Sequence, residues 1–224
     1  MCGRYTLAGK MVDLEKHYRA KLQGEARGNS YNIAPSQQSP VILNIFPDQI
    51  RYETWGLVPF WTKPDEKPKM LINTRADSLL TKPGFKRYLK NKRCLVPASG
   101  FYEWKNDADG KQPWLIRLAS REFFSFAGIW EEYANKEGEL IYTFSIITTG
   151  PNRLMREIHD RMPVILPEEH EESWLKGATD VQESSLLIPY RDEEMIAYPV
   201  SRKVNSPSNN DESLTEKIIP GTLF

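Results

Sequence analysis

Short runs of β-branched and aromatic residues recur along the whole chain, each cut off by Gly, Pro or Asn, and this punctuation leaves little room for long helices. Runs at 4–7, 41–46, 51–55, 70–73, 94–96, 100–105, 114–118, 123–129, 140–148, 162–166 and 197–200 predict strands. Helical spacing is rarer. In 11–22, Met11, Leu14, Tyr18 and Leu22 fall three and four residues apart, and 77–91, 152–159 and 168–176 show similar patterns. Helices that decorate strands instead of alternating with them argue an α+β class. At 224 residues, without a repeat or an internal linker, one β-rich domain is expected. The polar stretch from Ser206 onward reads as a surface-hugging or frayed tail.

Hydrophobic residues make up 40% and charged residues 27% of the chain, which argues against intrinsic disorder and fibrous classes. Lys+Arg and Asp+Glu are 30 each, so attraction to nucleic acid has to come from a local patch. No apolar run approaches a membrane span and the start lacks a signal-peptide core, which predicts a cytoplasmic protein without membrane contact. In that compartment Cys2 and Cys94 are expected as thiols.

Cys2 is the most informative residue. Removal of Met1 before a small second residue leaves a cysteine whose α-amine and thiol are both available. The amine (pKa about 7.7–8.0) attacks an aldehyde to give an imine, and the thiol (pKa about 8.5) closes a five-membered thiazolidine. An internal cysteine cannot do this. Polar residues also stand inside apolar segments: Asn73 and Arg75 in Ile-Asn-Thr-Arg, Glu103 between Tyr102 and Trp104, and His159 in Ile-His-Asp-Arg-Met-Pro. In a partly apolar pocket Glu103 becomes a useful general acid. Singly, each residue also fits an ordinary role: Cys2 as a small strand residue, Glu103 facing solvent, His159 as a core or surface histidine.

His17, His159, His170 and the two cysteines lack metal-ligand spacing, so no metal site and no cofactor is expected. Aromatic and basic residues interleave around Trp55 to Trp61, Asn73 to Arg75 and Tyr102 to Trp104, a composition that suits stacking of single-stranded bases beside cations. The Lys82 to Arg93 cluster reads more simply as a solvated basic helix.

Together these segments resemble one family, the SOS response-associated peptidase (SRAP) family of abasic-site processing proteins. The resemblance rests on Met-Cys-Gly-Arg-Tyr at the start, Tyr-Asn-Ile-Ala-Pro at 31–35, Trp-Gly-Leu-Val-Pro-Phe-Trp at 55–61 and Ile-Asn-Thr-Arg-Ala at 72–76. It continues with Lys-Arg-Cys-Leu-Val-Pro-Ala at 92–98, Gly-Phe-Tyr-Glu-Trp-Lys at 100–105, Phe-Ala-Gly-Ile-Trp at 126–130, Ile-His-Asp-Arg-Met-Pro at 158–163 and Val-Asn-Ser-Pro at 204–207. It therefore spans an SRAP-like domain at 1–207 and leaves 208–224 as a C-terminal tail. Thr74, where the family frequently has Ala, and Val58 are mild departures.

The resemblance implies a barrel-like core with peripheral helices, and a chain that senses abasic sites in single-stranded DNA. Cys2 would attack the open-chain aldehyde and leave a covalent crosslink. Asn73 would hold the crosslink, Glu103 would orient or protonate the groups at Cys2 and the sugar, and His159 would assist proton transfer at the sugar. Arg4, Asn32, Pro35, Trp61, Arg75, Trp104, Arg161 and Met162 would lie along the DNA path. The expected enzyme is a lyase-like crosslinking protein, a monomer that can associate with the nucleoid and that removes its own Met1. Two other readings stay open: a cysteine peptidase with Cys2 as nucleophile and His159 as base, and a non-covalent single-strand sensor.

Overall fold

The computed structural model describes residues 2–63, 68–108, 110–135, 137–177 and 185–218. The first elements are β1 (Tyr5–Leu7), α1 (Met11–Tyr18), β2 (Lys21–Leu22), β3 (Ser30–Ile33), β4 (Gln38–Leu43), β5 (Gln49–Trp55), β6 (Asn73–Arg75), α2 (Ala76–Thr81) and α3 (Pro83–Asn91). They are followed by β7 (Arg93–Ala98), β8 (Gly100–Asp107), β9 (Gly110–Leu118), β10 (Phe124–Ala134) and β11 (Leu140–Thr149). After α4 (Arg153–Arg156) come β12 (Met162–Pro163), β13 (Ile165–Leu166), α5 (Glu168–Lys176) and β14 (Met195–Pro199).

Five strands close on themselves. β11, β10, β7, β4 and β5 pair antiparallel in that order, and β5 returns to β11 in parallel, Thr54 opposite Thr143 and Trp55 opposite Phe144. Closure removes the two edges that such a sheet would otherwise expose. A second sheet, in the order β14-β9-β8-β1-β3, packs on this barrel. Tyr5, Trp55, Phe101, Phe124 and Phe126 meet edge-on in the core, with centroids 5.0–5.9 Å apart. At Gly128 a Cβ would stand 2.7 Å from Cys94 Sγ and 3.0 Å from Val96 Cγ2, so β7 and β10 approach where no side chain fits. The fold is thus α+β and β-rich with a barrel-like core, and both cysteines are buried thiols. No described helix is long and apolar enough to cross a membrane.

Sequence and structure part at several boundaries. The helix expected over 11–22 stops at Tyr18, because Arg19 takes a left-handed conformation (φ 51°) and Lys21–Leu22 joins β5 as a strand. The helix expected over 77–91 is two helices, since Lys82 is extended ahead of Pro83, which begins α3. Of 152–159 only Arg153–Arg156 is helical, capped by Asn152 accepting from the Met155 N–H. The basic cluster is only partly a solvated face: Lys82, Lys86 and Lys90 are exposed, whereas Arg93 is buried and Lys92 sits 4.0 Å from the Trp130 ring centroid.

Of the expected tail from 208 onward, the described residues up to 218 pack against the domain. Leu214 is buried in a cluster with Tyr102, Leu115, Val200 and Val204, and Lys217 bridges to Val200. Residues 219–224 lie outside the described residues. Leu214→Ala is therefore expected to cost about 2–5 kcal/mol in urea unfolding, the range for emptying a buried leucine site. A frayed tail would leave stability within about 0.5 kcal/mol.

Candidate active site

The register of the second sheet places the chemistry. Tyr5 pairs with Phe101 and Thr6 with Gly100, and the Tyr102 N–H donates to the Arg4 carbonyl at 2.9 Å. Continued by two residues, this antiparallel register sets the segment just after Cys2 against Glu103. From the other sheet, β6 pairs in parallel with β11, and the Asn73 amide donates to the Cys2 carbonyl at 2.7 Å. Cys2 and Glu103 are therefore brought to Asn73 where the two sheets meet. The loop between α4 and β12 carries His159 to the end of the same barrel strand, because β12 pairs with β11 at Thr148 and Thr149.

Burial governs the electrostatics. The Cys2 thiol is inaccessible, and burial, reinforced by the charge of Glu103, pushes it well above the ordinary thiol value. Its Sγ donates only a weak 3.8 Å bond to the Arg4 carbonyl. Glu103 is 2% exposed, and burial pushes it up to about 7; the positive amino terminus and the Trp104 N–H pull the other way, and Asp160 adds to the rise. The solvent-facing role for Glu103 is thereby excluded. His159 is lowered, first by burial, and its Nδ1 accepts the Arg161 N–H at 3.1 Å. The Asn73 Oδ1 is buried without a hydrogen-bond partner, an acceptor left over after the amide has bound Cys2.

Two cations lie beside β11, and a separate pair of aromatics is exposed at the surface. Arg161 is pinned to Thr148, its guanidinium donating to the carbonyl at 2.6 Å and to Oγ1 at 2.9 Å. Arg75 is exposed, pairs with Asp77 and depresses that carboxyl to about 2. Arg161 is lowered first by burial and then by the charge of Arg75. Trp61 and Phe60 are 51% and 47% exposed, stacked edge-on at 5.0 Å and backed by Phe85 and Tyr88. Arg87 lies 3.8 Å over the Phe60 ring.

Several of the other residues expected along the DNA path are bonded within the protein. Asn32 is buried, and its amide donates to the Val204, Ser206 and Asn209 carbonyls at 3.2, 2.9 and 2.8 Å while its Oδ1 accepts from Arg4 at 2.7 Å. Trp104 Nε1 donates to Asn205 Oδ1 at 2.8 Å. Arg4, Asn32 and Trp104 thus clamp the 204–209 segment, and Met162 is buried. The Asn32 and Met162 side chains both lie inside the protein. Pro35 is half-buried before Ser36, whose φ of 69° turns the chain out of β3.

Two further residues come with the site, Thr148 holding Arg161 and Asp160 with Oδ1 2.8 Å from His159 Nδ1, while Phe60 stands beside Trp61. Phe60 and Asp160 stand inside motifs visible in the sequence, while nothing local marks Thr148. Among the described residues no group of three or more His, Cys, Asp or Glu side chains could hold a metal. The cavity of about 460 Å³ between α1 and α5, lined by His17, Leu95 and Glu171 among others, shares no residue with this centre.

The chain is 44% identical over 223 residues to a Bacillus subtilis protein named abasic site processing protein YoqW, covering 96% of this chain and 99% of that one. It is 34% identical to the abasic site processing protein HMCES of Gallus gallus, covering 81% of this chain and 64% of the relative. A crystal structure of a Bacteroides thetaiotaomicron protein, 32% identical, superposes with a TM-score of 0.87 over 97% of this chain and 100% of its own. A Bordetella bronchiseptica structure at 24% identity shares the fold, with a TM-score of 0.77 over 89% of this chain and 100% of its own. The family model for SOS response associated peptidase (SRAP) matches residues 1–207, and the chain belongs to that family.

Proposed function

We propose that the protein processes abasic sites in single-stranded DNA by forming a covalent thiazolidine crosslink through Cys2 once Met1 is removed, shielding the lesion. The observation that carries this reading is the convergence of Asn73 and Glu103 on the start of the chain, with Glu103 raised to about 7. A carboxyl at that value is ready both to take a proton from the Cys2 α-amine and to return one to the sugar oxygen. Asn73 steers the backbone of Cys2 through its amide and presents its unpartnered Oδ1 to the adduct. His159 assists at the sugar, Arg75 and Arg161 meet the flanking phosphates, and Trp61 with Phe60 stacks on bases. The protein acts as a monomer.

A peptidase using a Cys2 thiolate is less well supported. Reactive cysteine thiolates sit in electropositive surroundings that lower their pKa, whereas burial and Glu103 raise this one. Amine-first chemistry needs no thiolate. The aldehyde is captured as an imine, with loss of water, and the thiol adds afterwards to close the ring.

Intact mass of the purified protein, before and after incubation with an abasic single-stranded oligonucleotide, tests the function directly. The expected result is a chain without Met1 that gains the oligonucleotide in a heat-stable adduct. Blocking the amine should abolish that adduct, and a normal adduct from Cys2→Ala would sink the assignment.

Glu103→Gln separates catalysis from stability. The wild-type carboxyl, about 7 in the fold against about 4.3 unfolded, keeps its proton through a window where the unfolded chain has lost it. Wild-type stability therefore falls as pH rises from about 4.3 to 7 and levels off above. Gln carries no such penalty, so the variant should gain stability relative to wild type between pH 5 and 8, by roughly 1–3 kcal/mol. Adduct formation should meanwhile slow by about 10²–10⁴-fold. Urea unfolding at both pH values and a crosslinking time course check the two halves.

Arg75→Ala should weaken non-covalent binding of undamaged single strands and reduce the salt slope by about 0.7 for the lost phosphate contact. An unchanged slope in fluorescence titrations between low and high salt would place the DNA elsewhere.

A further inference from the structure

Two groups compete for one nitrogen of His159. The Arg161 backbone N–H donates to Nδ1 at 3.1 Å, while Asp160 Oδ1 lies 2.8 Å from the same atom. A ring nitrogen cannot accept and donate at once. With a lone pair on Nδ1 the Arg161 N–H is satisfied, and the neutral ring carries its proton on Nε2. With a proton on Nδ1 the Asp160 carboxylate becomes the partner. An anionic oxygen held close to a lone pair is repelled by it, so protonation of the ring relieves a tension that the neutral state contains.

The surroundings make this a switch with one fixed side and one movable side. Arg161 is anchored, since its guanidinium makes three hydrogen bonds to Thr148, so its N–H stays in place. The His159 N–H is held by the Met155 carbonyl at 2.7 Å, which fixes the ring's own backbone. The Asp160 side chain is 87% exposed and adjusts at little cost. Burial, the positive amino terminus and Lys111 on β9 oppose a charge on the ring, and Asp160 and the Arg161 backbone favour it; an N–H aimed at the Nδ1 lone pair nonetheless selects the Nε2–H form whenever the ring is neutral. Asp160 also acts on Glu103, Arg75 and Arg161, and Arg75 is itself paired with Asp77.

We propose that Asp160 is a positioning residue that makes His159 a proton donor: the Arg161 N–H keeps the neutral ring in the Nε2–H form, and Asp160 accepts the Nδ1 proton once the ring is charged. This rests on the abasic-site reading given above. In the charged state Nε2–H passes its proton to the ring oxygen O4′ of the closed sugar as the C1′–O4′ bond breaks. The proton of the C1′ hydroxyl goes to the Glu103 carboxylate, and C1′ becomes the aldehyde that Cys2 captures. The imidazole is left neutral with its proton on Nδ1 against Asp160, and exchange with water restores the Nε2–H form.

The test combines the free protein and the reaction. In the ¹⁵N-labelled full chain, imidazole nitrogen spectra across pH report tautomer and titration of each histidine, and the His159 signals are those missing from His159→Gln. Expected are an Nε2–H neutral ring in wild type and a His159 midpoint that moves to lower pH in Asp160→Asn. Adduct formation near neutral pH should be about two- to fivefold slower in that variant, the size a solvent-screened pair allows, and Asp160→Glu should restore it. An Nδ1–H neutral ring in wild type, or an unmoved midpoint in Asp160→Asn, overturns the proposal. Slow adduct formation by His159→Ala together with wild-type rates in Asp160→Asn also overturns it. Wild-type rates from His159→Ala overturn instead the role given to His159 under Proposed function.

Discussion

Pairing of β1 with β8 is the constraint on which the rest of the site depends. Three residues of β1 are hydrogen-bonded between β8 and β3, and this short ladder decides where the chain's first residues run. An amino-terminal segment is usually the least ordered part of a domain. Here the aromatic body of Tyr5 packs edge-on against Trp55 and Phe126, tying β1 to the barrel. The Asn73 amide then takes the Cys2 carbonyl from the barrel side. Cys2 is thus held between two sheets that are each fixed by their own closure or pairing, a rigid mount for a reactive terminus.

The same arrangement has an energetic cost. Burial of a carboxyl without full charge compensation destabilises the fold at neutral pH, and Glu103 sits between Tyr102 and Trp104 where burial outweighs every group that lowers it. The surrounding structure offsets this with satisfied polar groups. Arg4 donates both to Asn32 and to the Val204 carbonyl, and Tyr102 donates to the Tyr31 carbonyl at 2.8 Å. These bonds lock residues 204–214 over the outer face of β8 and β9, so the cluster around Leu214 supports the strand that carries Glu103.

The strands were legible because β-branched and aromatic runs end at turn residues, and the α+β class follows from them. Their ends were harder to read. Pro40, Pro97 and Pro113 look like breaks, yet each lies inside a strand of the folded chain. Leu22 keeps helical spacing with Tyr18, but it pairs with Ile50, a contact that no local pattern encodes. Within the site, Cys2 stands out through the chemistry of an amino-terminal cysteine, and Glu103 through a carboxylate between two aromatics. Asn32 has partners that no local pattern encodes. Its amide is satisfied by carbonyls 172 to 177 residues further along, so this polar strand residue is also an interior clamp.

In the proposed reaction the order of the chemical events would follow from how Cys2 is held. A buried thiol above its ordinary value stays protonated at neutral pH, and Glu103 beside it reinforces that state. The α-amine is different, because an amine with a pKa near 7.8 is neutral in about 10–20% of molecules at pH 7 and a carboxyl near 7 can take its proton. Nitrogen is therefore the first nucleophile available to an aldehyde. Sulfur enters after the imine has formed, when addition within one residue needs no diffusion and the proton released from Sγ ends on the nitrogen. Under the proposed crosslinking, a thiol too weak to attack foreign electrophiles on its own would be confined to closing a ring that the neighbouring amine had begun.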